Sequence, residues 1–502
     1  MILVGAAAIA ASLLLSFPSA SQAPPASSPA ASQVAPKQQA AIAKAVDKFA
    51  AAIAKYGGKT GVSVVDVETG QVIASYHDRE ALNPASNMKL LTAAAAMSQL
   101  TATYQYRTAL YGKRNGAAVD ELVLRGSGDP SLTTSDLWEM AAELRRSGVR
   151  KVQGDILVDQ SAFDEQYLPP GFEQQPNEWA YFRAPVSAVA LNRNVITMSV
   201  HPTTKEQAAV VSFDPPGVVD VTGSVKTSAA GPEAVTLLLA PSGARLSAKV
   251  GGTIPEDSHA MVTPKRIDNP SVFAGYALRA LLAEQGITVS GAVRTGGDKA
   301  RNVLVMHRSR PLSELLYELG KRSDNFYAEM VFKGLGSKEK SRGQSSADGA
   351  EVVNRYLKAV GALDDGTVIK NGSGLYDTNR VTANTFTRVL RAAYLDPSFG
   401  SEYVSHLAIG GVDGTLHGRF NNLKKLRLVR AKTGTLNDVT ALSGYVLSPG
   451  SRAPFAFSIV INGVAGKVTG ARAALDKCAS SIASAMLRSK GVPAVLPSGD
   501  DE

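Results

Sequence analysis

Between about residues 111 and 299 the chain breaks into short β-rich runs, whereas both of its ends mix helical and strand-like periodicities. Runs such as Glu121–Arg125, Gly154–Val158, Val195–Val200, Ala208–Phe213 and Val218–Thr222 are separated by Gly/Pro turns, and a helix over Asp136–Arg146 stops at Gly148. Short runs bounded by turn residues read as strands. Ahead of them, Ile42, Val46, Phe49 and Ile53 recur at three- and four-residue steps, which predicts a helix ending at Gly57-Gly58. Val62–Val67 and Gln71–Tyr76 predict a hairpin around Glu68-Thr69-Gly70, and an Ala/Leu/Met-rich helix follows over about Ser86–Leu100. Further helices are expected over Ser271–Glu284, Leu312–Leu319, Asn325–Gly334, Ala350–Val360, Thr382–Ala393 and about Thr469–Leu487, with strands over Arg427–Ala431, Val439–Val446 and Phe455–Ile461. The fold class that fits is α+β, with a β-rich body inserted between two ends that share an antiparallel sheet.

The 502 residues suggest about three domains at ordinary domain sizes. Residues 37–110 and 300–490 are expected to form one discontinuous domain around an inserted region at 111–299, with an inner unit at about 200–260 and a tail at 491–502. Ile2–Phe17 is apolar but short for a membrane span, which needs about 20 residues. Small residues around Ser21-Gln22-Ala23 predict a signal peptide at 1–23, followed by an Ala/Pro/Ser-rich linker at 24–36, although no Lys or Arg precedes Lys37. The expected location is therefore the periplasm or cell envelope, with peripheral membrane or wall association left open.

Composition removes several function classes. The single Cys478 excludes intrachain disulfides and thiolate zinc cages, and none of the six histidines falls in an H-E-x-x-H pattern, so no metal or other cofactor is expected. Activity should accordingly be indifferent to EDTA. The charge balance is +9, which favours an anionic partner or surface without naming one. Aromatic residues are only 6% and no stacking motif appears, so nucleic acid is not an expected partner. The basic stretch Lys424–Arg430 reads as strand-like, either a solvated face or an anion-binding strip. Gly58-Lys59-Thr60 would need its first phosphate-loop glycine at Ile53, inside an apolar helix, and Gly126-Ser127-Gly128 and Gly372-Ser373-Gly374 lack the third glycine of a dinucleotide fingerprint. There is no G-x-S-x-G elbow.

Chemistry enters with Ser86-Asn87-Met88-Lys89 at the start of the second helix. A serine there is ordinarily a cap. The i, i+3 spacing nevertheless puts Ser86 and Lys89 on one face, where an amine whose pKa is lowered by burial or by a neighbouring cation could act as base for the hydroxyl. The pattern alone is weak, since Ser337-Lys338-Glu339-Lys340 repeats it in a polar stretch. Ser323-Asp324-Asn325 lies between two predicted helices, and Lys432-Thr433-Gly434-Thr435 follows a predicted strand, with Lys59-Thr60-Gly61 as its decoy. Order separates the copies: only Ser86, Ser323 and Lys432 combine a helix-start serine, an inter-helix loop and a strand-borne lysine in the succession used by penicillin-interacting enzymes.

On these residues the chain resembles the serine D-alanyl-D-alanine carboxypeptidases/endopeptidases among the low-molecular-mass class C penicillin-binding proteins, specifically those with large domains inserted between the first and second motifs. Here 237 residues separate Ser86 from Ser323, and 109 separate Ser323 from Lys432. A compact class A β-lactamase has no room for the first gap. Similar segments include Gly128–Leu132, Tyr181–Ala188, Asn192-Arg193-Asn194, Gly372–Leu375 and Gly411–Leu416, so the likeness runs from about Lys37 to about Lys490.

The resemblance implies a β-lactamase/transpeptidase-like catalytic domain in which Ser86 attacks the carbonyl of the penultimate D-alanine and Lys89 is the general base. It also implies that Lys432 depresses the Lys89 pKa and attracts the terminal carboxylate, which Thr433, Gly434 and Thr435 help to bind. Ser323 would relay a proton to the departing amine, Asn325 would hold Lys89 and the substrate amide, and the Ser86 and Thr435 N–H groups would form the oxyanion hole. Peptidoglycan stem peptides are the implied substrate and β-lactam antibiotics the implied covalent inhibitors. Two departures stand out: Asn371 occupies a position where an acidic residue is expected in relatives, and no E-x-x-L-N segment follows Asn325, Glu351–Asn354 having the wrong spacing. Without a carboxylate to prime water, a penicilloyl group should persist. The alternatives are a β-lactamase or esterase on the same scaffold, and a non-catalytic wall-binding scaffold.

Overall fold

The computed structural model describes residues 34–176, 178–297, 302–448 and 452–487; the expected signal peptide, all but the last residues of the linker, and the tail lie outside them. Among the described residues no helix is long and apolar enough to cross a membrane.

A six-stranded sheet draws on both ends of the chain. Its spatial order is Ala408–Ile409, Val429–Thr435, Thr440–Val446, Phe455–Asn462, Lys59–Asp66 and Val72–Tyr76, every neighbour antiparallel. Side chains alternate between its two faces, and both are buried. Leu442, Val446, Phe455, Phe457, Ile459 and Ile461 point to a layer made by the helices Pro36–Ala54 and Val468–Leu487. Ile42, Val46, Phe49 and Ile53 are the buried stripe of the first helix, as its periodicity predicts. Cys478 is buried in the same layer, and burial pushes its thiol up to about 12, so it is an inert packing residue.

The opposite face, with Ala441, Tyr445, Ala456 and Val460, packs against a second helical layer centred on Met88–Leu100. That helix is buried on every side from Met88 to Met97, which explains its run of small and apolar residues. Around it stand the helices Leu312–Gly320, Asn325–Gly334, Ser346–Ala359 and Ala383–Leu395.

The rest of the chain builds smaller sheets. Arg107–Gly112 pairs with both Asn302–Arg308 and Leu122–Gly126, in a five-stranded sheet covered by the helices Thr134–Arg146 and Phe273–Glu284. Residues 195–266 supply a three- and a four-stranded sheet with their own small core at Met198, Val200, Val225, Val250 and Ile254.

One local expectation fails. The stretch Lys424–Arg430 is not a strand throughout: Asn421–Leu426 is a 3-10 helix, and Arg427 adopts a left-handed φ of 50°. The strand begins at Val429, where pairing with Thr440–Val446 begins. Alternating charged and apolar residues satisfy either geometry, and the anchoring of Leu423 in the core selects the coiled one.

Candidate active site

The helical layer and the sheet edge meet at Ser86. A 3-10 turn, Ala85–Asn87, precedes the helix Met88–Leu100, and no side-chain cap is present at either start. Ser86 is therefore not a capping serine. Its Oγ faces Lys89 Nζ at 3.0 Å, the contact anticipated from the i, i+3 spacing. The turn is held from several directions. Asn83 Oδ1 accepts the Ala85 N–H at 2.9 Å, Asn462 Oδ1 accepts the Asn83 N–H at 2.8 Å, and Asn87 Nδ2 donates to Ser443 Oγ at 2.6 Å. Ala85 carries a φ of 44°, a strained value for a residue with a Cβ, immediately before the nucleophile.

Lys89 is 1% exposed. Its Nζ also donates to Asn325 Oδ1 at 2.8 Å and to Ser373 O at 2.7 Å. Burial lowers its pKa to about 7, against the opposing fields of Glu329 and Asp324. A neutral amine has two N–H donors and one lone pair. Two partners that can only accept use both donors, and the lone pair is left for the Ser86 hydroxyl.

Ser323 and Asn325 flank Asp324. The cap of the helix Asn325–Gly334 is Asp324, whose carboxylate accepts the Tyr327 N–H at 2.9 Å, so Ser323 is free of the capping role. Ser323 sits at φ 60°, and its Oγ accepts from Lys432 Nζ at 2.8 Å. Asn325 Nδ2 donates to Phe182 O at 3.3 Å. Lys432 is fully buried, donates also to Thr433 O at 2.8 Å, and has a pKa well below that of a free lysine, first through burial and then through Lys89. The family resemblance implies that Lys432 depresses the Lys89 pKa; burial is the leading cause at both amines, and the charges that act on Lys89 are those of Glu329 and Asp324.

Thr433 Oγ1 donates to Thr415 Oγ1 at 2.9 Å. A Cβ on Gly434 would lie 2.9 Å from Pro84 O and 3.2 Å from Ser86 N, so the absence of a side chain is what lets this strand pass beside the nucleophile. Thr435 ends the strand and is exposed. Pairing with Ala408–Ile409 stops at Ala431, so that edge of the sheet carries no strand partner from Lys432 to Thr435 among the described residues. The eight residues singled out from the sequence thus lie together where the Ser86 turn, the Ser323–Asn325 loop and the Lys432–Thr435 strand meet. The decoys do not: Lys59 pairs with Glu80 in solvent, and Lys338 and Lys340 are exposed.

Glu329 and Thr415 were not singled out from the sequence, and Asn371 entered only as a departure from the family pattern. Glu329, 2% exposed, accepts the Gly372 N–H at 3.1 Å and the Ser373 N–H at 2.7 Å, fixing the loop whose carbonyl holds Lys89. Burial raises its pKa, and these N–H groups act against that. Asn371 Nδ2 donates to Pro170 O at 2.9 Å, Leu375 O at 3.2 Å and Thr378 Oγ1 at 2.9 Å, while its Oδ1 accepts from Gly374 N. An amide suits this position because the surrounding carbonyls need a donor, which a carboxylate is not. Asn371 and Thr415 lie beside or within segments quoted for the family resemblance, and Glu329 follows Asn325 by about one helical turn, but nothing in their spacing distinguishes them.

Comparison with known proteins agrees with this geometry. The D-Ala-D-Ala carboxypeptidase 3 (S13) family matches residues 42–482. A D-alanyl-D-alanine carboxypeptidase of Actinomadura sp. (strain R39) is 36% identical over 430 residues, covering 82% of this chain and 79% of the relative. The D-alanyl-D-alanine carboxypeptidase DacB of Haemophilus influenzae is 27% identical over 399 residues, 78% of this chain and 82% of its own. Among solved structures, penicillin-binding protein 4 (dacB) from Haemophilus influenzae superimposes with a TM-score of 0.71 at 25% identity, covering 86% of this chain and 97% of that one. The same protein complexed with a β-lactam gives a TM-score of 0.67, also at 25% identity, over 88% of this chain and 98% of the other.

Proposed function

This chain belongs to the D-Ala-D-Ala carboxypeptidase 3 (S13) family, and we propose that its reaction runs through an acyl-enzyme on Ser86. The protein is a serine-type D-alanyl-D-alanine carboxypeptidase/endopeptidase of the low-molecular-mass penicillin-binding class, a hydrolase acting on peptidoglycan and acylated by penicillin. The single observation that carries the proposed mechanism is the set of three partners around Lys89 Nζ.

Neutral Lys89 takes the Ser86 proton as Oγ attacks the carbonyl carbon of the penultimate D-alanine. The developing oxyanion is met by the Ser86 and Thr435 N–H groups; one such donor is typically worth about 3–4 kcal/mol. Ser323 accepts from Lys432 and so keeps its own O–H free to protonate the departing amine. Its oxygen takes in turn the proton that Lys89 removed from Ser86, which returns Lys89 to its neutral form. The terminal carboxylate lies toward Lys432, Thr433, Gly434 and Thr435. Since Thr433 spends its O–H on Thr415, the Thr415 hydroxyl joins this group. Water then attacks the ester, releasing the shortened peptide and restoring Ser86.

Two carboxylates act on Lys89, and neither is placed to prime that water quickly. Glu329 is occupied by two loop N–H groups, and Asp324 caps a helix. This favours a persistent penicilloyl group over a β-lactamase. Export to the periplasm or cell envelope fits a wall substrate and is part of the proposal. The test is an intact-mass time course with excess benzylpenicillin, followed by peptide mapping. A lasting adduct on Ser86, absent from Ser86→Ala, is expected. An adduct that forms equally on Ser86→Ala refutes the assignment, and rapid penicillin hydrolysis with no adduct favours the β-lactamase reading.

A further inference from the structure

Arg193 is 131 residues from Asp324 in sequence, yet its Nη1 donates to Asp324 Oδ2 at 2.9 Å and its Nη2 to Glu318 Oε2 at 3.4 Å. Asp324 is the residue between Ser323 and Asn325, and its other oxygen caps the following helix. One carboxylate is thus fixed at both oxygens, by the helix on one side and by Arg193 on the other. The Arg193 guanidinium also lies 5.2 Å from the ring centroid of Tyr327, in the first turn of that helix.

The backbone that presents Arg193 is strained. Asn192, Arg193 and Asn194 take φ values of 48°, 61° and 53°, three successive left-handed residues with none a glycine. Side-chain bonds hold this arrangement. Asn192 Nδ2 donates to Thr134 Oγ1 at 2.8 Å and Asp214 Oδ2 at 2.9 Å, and Asn194 Nδ2 donates to Pro185 O at 2.9 Å and Ser187 Oγ at 3.0 Å. Strain maintained by surrounding structure points to a task for the residue it displays. Across the contact, Ser323 is itself left-handed and must stay so for its Oγ to meet Lys432.

We propose that Arg193 is a positioning residue for the reaction: by clamping Asp324 it holds Ser323 and Asn325 in register with Lys432 and Lys89. The proposal rests on the reading that Ser323 and Asn325 serve acylation. Arg193 acts through Asp324 rather than on the reacting atoms. It also offsets the charge of Asp324. The charged groups facing Lys89 are Glu329 and Asp324, which favour its protonated form, and Lys432, the neighbouring amine. Loss of the Arg193 cation leaves the Asp324 field less neutralised, so the acid limb of acylation moves to higher pH.

The test uses benzylpenicillin acylation rates of the full chain, read by intact mass across pH. Arg193 borders a cavity of about 320 Å³ walled also by Tyr181, Thr197 and Pro264, through which a small cation can reach the space left by truncation. Arg193→Ala is expected to slow acylation by about 10–100-fold, the scale of a misplaced catalytic group, with an acid limb at higher pH. Added methylguanidinium should restore much of the rate, and Arg193→Lys should be intermediate. Arg322→Ala, which removes the cation 3.3 Å from Glu318 without touching Asp324, should behave as wild type. Wild-type rates in Arg193→Ala, a slowed variant with neither rescue nor a moved limb, or an equal loss in Arg322→Ala overturns the proposal. Should Arg193→Ala not fold, Arg193→Gln, neutral and close in reach, is read the same way. The wild-type protein separates the two ideas: if it takes no adduct on Ser86, the reading of the site fails, whereas equal rates in wild type and variant sink the role of Arg193 alone.

Discussion

The Glu329 carboxylate accepts the Ser373 N–H at 2.7 Å, and the carbonyl of that same Ser373 accepts from Lys89 at 2.7 Å. A buried acid therefore holds, through one residue of backbone, the acceptor that orients the proposed general base. The same acid also acts on Lys89 by charge, since its field favours the protonated amine. Geometry and electrostatics at this point have one source.

Replacing Glu329 tests both. Glu329→Gln removes the charge, so the Lys89 pKa falls further and the acid limb of acylation moves to lower pH. It also sets an amide N–H against a loop N–H, leaving a buried group unsatisfied at a cost of about 1–3 kcal/mol. The limb is read from penicillin acylation rates, and the cost from denaturant unfolding. A limb that stays in place refutes the electrostatic part.

Lys89 itself sets the reference profile. With its pKa lowered to about 7, the neutral base gains population as pH rises through that value, so acylation should climb across it and flatten above. A profile already flat between pH 5 and 9 contradicts the general-base assignment. Lys89→Ala should retain the fold, since truncation removes a buried amine, while acylation falls to background.

Asn371 is predicted to tolerate its acidic isostere poorly. Asn371→Asp turns a donor that serves Pro170 O, Leu375 O and Thr378 Oγ1 into a carboxylate facing two carbonyl oxygens. Losing these bonds while burying a charge should cost at least about 1–3 kcal/mol. Urea unfolding measures the loss, and an unchanged midpoint defeats the claim that this pocket requires an amide.

Gly374 has a φ of 74°, and a Cβ placed there would lie 1.8 Å from Ala85 O. Ala85 precedes the nucleophile, so Gly374→Ala must push the Ser86 turn out of place. Displacements near 1 Å typically cost about 10²-fold in rate. Acylation of the folded variant should fall on that order, with circular dichroism establishing that the fold persists. A variant acylated at the wild-type rate shows that the turn has slack which this packing does not suggest.

Much of this was legible in the sequence because it is local. The period of Ile42, Val46, Phe49 and Ile53, the three-residue step from Ser86 to Lys89, and the short β-rich runs depend on backbone geometry that repeats within a few residues. The order of Ser86, Ser323 and Lys432 added the family, and with it the cleft. Tertiary structure decided the remainder. It made Asn421–Leu426 a 3-10 helix where alternation suggested strand, because the same pattern fits either until a neighbour is chosen. It gave Glu329, an ordinary helical glutamate by sequence, its place beneath Lys89, and brought Arg193 across 131 residues to Asp324. Burial made by distant segments also moved the Lys89 pKa, and burial is a property of the packed chain. Residue type and spacing specify which groups can react; the dielectric around them and the partners that aim them exist only once the layers have closed.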